Sequence, residues 1–126
     1  EDTFSLPWAV KPVYQGSTIG ISKVTHPHQF EDAKKRAFKY DSQVFIEPWF
    51  DGKELTVGFL DQMALPVIHI ESPKGFYDYE AKYFSEETQF HCPSGLSQEI
   101  ETKVKEIALK AYQVIGCSNW GRVDLI

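Results

Sequence analysis

Ser97-Gln98-Glu99-Ile100-Glu101-Thr102-Lys103-Val104-Lys105-Glu106-Ile107-Ala108-Leu109-Lys110-Ala111-Tyr112-Gln113-Val114-Ile115-Gly116 is the stretch whose reading decides the fold. Ser97 has the side chain of an N-cap. Ile100, Val104, Ile107, Ala108, Ala111, Val114 and Ile115 then recur at three- and four-residue intervals, and Gly116 supplies a C-terminal stop. The spacing predicts one amphipathic helix with that apolar set turned to a core. Immediately downstream, Trp120 to Ile126 predicts a buried strand, interrupted only by the charges of Arg122 and Asp124.

Upstream, Trp8-Ala9-Val10 predicts a short strand stopped at Lys11-Pro12, and Ile21-Ser22-Lys23-Val24 alternates like its hairpin partner. Between them lies Gly16-Ser17-Thr18-Ile19-Gly20, a loop of small residues. Pro27 suits a first helical position, and Phe30, Ala33, Ala37 and Phe38 mark the apolar face of a helix reaching about Tyr40. Strands are expected at Gln43 to Glu47, Glu54 to Leu60 and Met63 to Ile70, with Asp51-Gly52 and Asp61-Gln62 as turns. The order β-β-α-β, β-β, loop, α, β is an α+β pattern in two small lobes.

One segment has neither helix nor strand period: Gly75-Phe76-Tyr77-Asp78-Tyr79-Glu80-Ala81-Lys82-Tyr83, within an irregular region that runs on to Ser94. Long loops inside compact domains are commonly functional, and three tyrosines argue against simple disorder.

A chain of 126 residues, 42% hydrophobic, has the size of one small domain or two interlocked subdomains. No run approaches the length of a membrane span, so no membrane partner is expected. A net charge of -5 speaks against a nucleic-acid or anionic-membrane surface, so any phosphate site is expected to be local. Cys92 and Cys117 lack metal-type spacing and read as reduced thiols of a cytoplasmic protein, and the four histidines share no zinc spacing.

Lys11 stands at a strand end beside a glycine loop, where an ammonium can reach nucleotide phosphates. Gly16 and Gly20 let backbone N–H groups approach an anion. Glu47-Pro48-Trp49-Phe50 joins the two expected lobes and offers a backbone edge and apolar walls of the kind an adenine needs. Arg122 and Asp124 alternate along the last strand and project on one face, where two charges must pair or bind something.

Taken together, Lys11-Pro12, Gly16 to Gly20, Phe45-Ile46-Glu47-Pro48-Trp49, Gly52-Lys53-Glu54-Leu55-Thr56-Val57, the Tyr77 to Tyr83 loop and Gly121-Arg122-Val123-Asp124 resemble the D-alanyl-D-alanine ligases of the ATP-grasp family, in order and spacing. The resemblance implies an α+β, ATP-grasp architecture, with residues 1–48 from the central lid subdomain and 49–126 from the first part of the C-terminal subdomain, including a substrate-covering loop at 75–94. It further implies that Lys11, Glu47, Pro48, Trp49, Phe50, Glu54 and Lys82 bind ATP. Arg122 would hold the acyl-phosphate, Lys82 the γ-phosphate, Tyr83 the second amino acid in contact with Ser17, and Asp124 one Mg²⁺ (or Mn²⁺).

The chain departs from the family where Tyr14-Gln15 replace Arg-Glu and Thr18-Ile19 replace Ser-Val. The implied activity is ligation of two D-alanines by a bacterial cytoplasmic homodimer, for peptidoglycan precursors. Another ATP-grasp ligase and a non-catalytic nucleotide-binding module are the alternatives. A chain that opens without methionine and stops in an apolar run reads as a fragment, expected not to turn over alone.

Overall fold

The computed structural model describes residues 5–71 and 88–126, which divide into two compact units, 5–51 and 52–71 with 88–126.

In the first unit, β1 (Trp8–Pro12) is the middle strand of an antiparallel sheet, flanked by β2 (Ser22–Val24) and β3 (Val44–Pro48). Val10 faces Ser22 on one side and Ile46 on the other. A 3₁₀ turn, Pro27–Gln29, leads into α1 (Phe30–Ala37), and the Gln29 side chain accepts the His26 N–H at 3.0 Å. The expected single helix from Pro27 to Tyr40 is therefore shorter and begins later. Phe38, expected on the apolar face, is 49% exposed. It lies past the last helical turn, and the helix meets the sheet through the small residues Ala33 and Ala37, which pack with Val10 and Val24. Each of those two valines is fully buried, worth about 1.5–3 kcal/mol. Trp8 and Phe30 close the edge, with ring centroids 5.8 Å apart at 86°.

In the second unit, β4 (Glu54–Leu60) pairs with β5 (Met63–Ala64), β6 (Ile68–Glu71) and β8 (Trp120–Leu125), and β6 carries β7 (Gln89–His91), all antiparallel. The single strand expected over Met63 to Ile70 is broken in two. Pro66 has no N–H for a ladder, and Leu65 N donates instead to the Gly58 carbonyl at 2.8 Å. The irregular region expected through Ser94 ends earlier, since Gln89, Phe90 and His91 pair with Glu71, Ile70 and His69.

The helix α2 (Gln98–Val114) has the expected limits: the Ser97 hydroxyl accepts the Ile100 N–H at 3.4 Å, and Gly116 follows at φ +71°. Its buried face keeps Val104 and Ala108 of the expected set but is rotated away from the rest. Val104, Ala108 and Tyr112 turn inward with Leu109, while Ile107 and Val114 are 58% and 86% exposed. Tyr112 sets this rotation by stacking on Phe59, centroids 4.8 Å apart, over Gly121. A Cβ on Gly121 would lie 2.8 Å from the Tyr112 ring, so only glycine fits there.

The strand expected to be buried, Trp120 to Ile126, is one-sided. Gly121, Val123 and Leu125 turn to the helix, while Trp120, Arg122 and Asp124 alternate outward and are exposed.

Candidate active site

Two groups of candidate site side chains emerge, one in each unit. In the first, Lys11 lies near the end of β1 and Glu47 in β3, and antiparallel register brings their head groups into an ion pair. Lys11 Nζ also lies 5.5 Å from the Phe45 ring centroid. Both side chains keep partial exposure, so the pair adds about 0–1 kcal/mol to stability. An ammonium and a carboxylate held side by side can instead serve a ligand with an anionic and an amino group.

The glycine loop is a tight turn. Ser17 and Thr18 have φ of +54° and +62°, and Ile19 N donates to the Gly16 carbonyl at 3.1 Å. Its entry is pinned by Asp41, whose carboxylate accepts the N–H groups of Tyr14 and Gln43 at 2.6 and 3.0 Å. The Tyr14 N–H above all holds the Asp41 carboxyl below the ordinary carboxylate value. Gly20, at φ +75°, lies under the Tyr40 ring, where a Cβ would approach to 2.8 Å.

The segment after β3 is tied down by its own side chains. Trp49 N donates to the Pro7 carbonyl at 2.9 Å, and its indole N–H donates to Asp51 Oδ1 at 2.8 Å. Lys23 Nζ reaches both Asp51 oxygens at 3.0 and 3.1 Å and lies 4.9 Å from the Trp49 ring. The Lys23 hydrogen bond, then that of Trp49, lowers the Asp51 pKa. Pro48 is half-buried opposite Trp8, and Phe50 is 66% exposed.

The second group lies on the face of the β4–β8 sheet opposite α2. Arg122 and Asp124 form a two-pronged pair, Nε to Oδ1 at 2.8 Å and a terminal nitrogen to Oδ2 at 2.9 Å. Thr56, directly across from Asp124, donates its hydroxyl to Oδ1 at 2.7 Å. Glu54 begins the same strand, two residues from Thr56 and on its face. The two charges expected on one face are thus brought together, exposed and mutually paired. Exposed pairs contribute little to a fold, and this one is open to a ligand.

An arginine fork matches phosphate oxygens, and an exposed carboxylate offers hard oxygen ligands. Asp124 fits Mg²⁺ as one ligand, because that ion is commonly held by one or two carboxylates together with substrate phosphates. Among the described residues no group of three or more His, Cys, Asp or Glu side chains is placed to hold a metal by itself. Lys82 and Tyr83, and loop residues 75–87, lie outside the described residues.

Sequence reasoning missed Thr56, which as a strand threonine carries only β-propensity. It also missed the Lys23–Asp51 pair, whose partners are joined by no motif.

Two antiparallel sheets, each backed by a helix, with Lys11 on one and the Arg122–Asp124 pair on the other, have the α+β, ATP-grasp architecture that the sequence resemblance implies. All 126 residues match the family described as D-ala D-ala ligase C-terminus, and the chain belongs to that family. It is 47% identical over 121 residues to a D-alanine–D-alanine ligase of Alkalilimnicola ehrlichii, covering 96% of this chain and 39% of that protein. With a D-alanine–D-alanine ligase of Nitrosomonas europaea the identity is 47% over 125 residues, covering 99% and 41%. The chain therefore spans about two-fifths of the length of these relatives.

Among solved structures, a D-Ala:D-Ser ligase from Enterococcus faecalis superposes with a TM-score of 0.83 at 32% identity, over 97% of this chain and 36% of that one. A D-alanine–D-alanine ligase from Bacillus anthracis gives 0.77 at 31%, over 96% and 40%.

Proposed function

We propose that the intact protein carrying this chain joins two D-alanines at the expense of ATP. The observation that carries the reading is the Arg122–Asp124 pair on the open face of the β4–β8 sheet, in a chain 47% identical to D-alanine–D-alanine ligases.

A carboxylate oxygen of the first D-alanine attacks the γ-phosphorus, and ADP leaves. The amine of the second D-alanine then attacks the acyl-phosphate carbon, expelling phosphate and losing a proton. Both steps gather negative charge that cationic donors stabilise. Lys11 serves the ATP phosphates, Glu47 and the Pro48 carbonyl the adenine amino group, the Phe50 N–H a ring nitrogen, and Glu54 the ribose hydroxyls, with Trp49 as an apolar wall. Arg122 holds the acyl-phosphate and the intermediate that follows.

Lys82 is assigned to the γ-phosphate and Tyr83, with Ser17, to the second amino acid, from sequence resemblance. Asp124 supplies one ligand to Mg²⁺ or Mn²⁺, which would neutralise phosphate charge when bound.

The same reading places residues 1–48 in a central lid subdomain and 49–126 in the first part of a C-terminal subdomain, and the protein in the bacterial cytoplasm as a homodimer feeding peptidoglycan synthesis. No helix among the described residues is long and apolar enough to cross a membrane.

The test is phosphate release and dipeptide formation by the full-length protein with ATP, Mg²⁺ and D-alanine, repeated with D-serine and D-lactate as second substrate. Formation of D-alanyl-D-alanine as the preferred product is expected. Preference for another acid or amine would assign a different ATP-grasp ligase, and nucleotide binding without any ligation would assign a binding module.

A further inference from the structure

We propose that Thr56 is a positioning residue for the Asp124 carboxylate and, through it, for the divalent cation. The inference rests on the reading of Asp124 as a cation ligand. Thr56 and Asp124 are cross-strand partners in β4 and β8, and the Thr56 hydroxyl donates to Oδ1 at 2.7 Å. Thr56 is 8% exposed, whereas the Asp124 side chain is 60% exposed. The donor is thus desolvated and the acceptor is open to a ligand. A β-branched side chain has few rotamers, so the hydroxyl keeps its direction.

Oδ1 and Oδ2 also accept from Arg122. These partners are not equivalent. Arg122 is a long side chain, 67% exposed, whose pair with Asp124 faces solvent and can be exchanged for a phosphate. Thr56 is fixed in the central strand of the sheet. When the guanidinium turns to an anion, Thr56 is the partner that stays, holding Oδ1 and presenting Oδ2 outward. Mg²⁺ demands near-ideal octahedral geometry, so a carboxylate fixed through one oxygen binds it better than one free to rotate. Outer partners of this kind typically change metal affinity 10- to 100-fold.

The experiment uses the full-length protein with saturating ADP and follows free Mn²⁺ by its electron paramagnetic resonance signal. Thr56→Val keeps shape and removes the donor, and is expected to weaken Mn²⁺ binding by about tenfold or more. Thr56→Ser restores the hydroxyl and is expected to bind within about twofold of the wild type. In turnover, Thr56→Val should raise the KM for Mg²⁺ more than it lowers kcat at saturating metal. If the valine variant does not fold, Thr56→Ala tests the same loss with less volume.

Asp124→Asn separates the two ideas. Should it weaken Mn²⁺ binding while Thr56→Val does not, Thr56 is only a strand residue and the proposal is wrong. Should Asp124→Asn leave Mn²⁺ binding unchanged, the cation reading fails and takes the proposal with it.

Discussion

The two faces of the β4–β8 strand pair are built from alternate residues of the same two segments, yet they answer to different physics. On the face under α2, Leu55, Val57 and Phe59 alternate with Gly121, Val123 and Leu125 into a core completed by Ala108 and Tyr112. On the other face, Thr56, Arg122 and Asp124 form a hydrogen-bonded cluster largely open to solvent. Substitutions on the covered face should register in folding, and those on the open face in catalysis, because exposed polar groups contribute little to stability while preorganised charge contributes much to a reaction.

The sharpest break between the faces is expected from Phe59→Ala, which empties a position only 2% exposed. It should cost about 3–5 kcal/mol of stability, read by chemical denaturation of the full-length protein. A loss below about 1 kcal/mol would mean that the core closes elsewhere. Next in size is Arg122→Ala on the open face. It should lower kcat about 10²- to 10³-fold, equivalent to about 2.7–4 kcal/mol of barrier. Its stability should stay within about 0.5 kcal/mol of the wild type, and a large drop in Tm would assign the pair a structural role.

Gly121→Ala adds a methyl group against the Tyr112 ring on the covered face, one residue from Arg122, and should destabilise by about 1–3 kcal/mol. Preserved metal and nucleotide binding at low temperature would show that the two faces are separable even for neighbours.

The smallest effect concerns the Tyr112 hydroxyl, which is buried and finds no hydrogen-bond partner among the described residues. Burial, with Cys117 and Asp61 adding to it, raises its pKa above the ordinary 10.0. The folded state therefore resists ionisation that the unfolded state allows, and stability is lost as pH rises past 10.0 toward the folded value. Tyr112→Phe should keep or raise Tm at neutral pH and flatten this alkaline decline. An identical decline in both proteins would trace it to other groups.

These contrasts explain which parts of the molecule were legible in the sequence. The ends of α2 follow from local chemistry, a serine cap and a glycine stop, and both are where the sequence places them. Its buried stripe depends on what lies opposite, and Tyr112 stacking on Phe59 over a glycine of the next strand turned Ile107 and Val114 to solvent. A run such as Met63 to Ile70 reads as one strand by composition, but Pro66 and its missing donor divide it.

At the site, Arg122 and Asp124 were visible because two charges in an apolar strand are anomalous. Thr56 was invisible because a threonine in a strand is ordinary, and its role exists only through the β4–β8 register. Lys11 and Glu47 were each identifiable, but their pairing likewise needed the β1–β3 register.

That register has a consequence for how the gene can change. Because successive side chains point to opposite faces, a single inserted or deleted codon between Leu55 and Leu60 would turn core residues of β4 such as Phe59 outward, and one between Gly121 and Leu125 would turn charges of β8 such as Asp124 under the helix. The segment can drift by substitution, as the two faces constrain alternate letters independently. Its length is held far more strictly than its spelling, and lineages of this protein are expected to differ there in residues while agreeing in count.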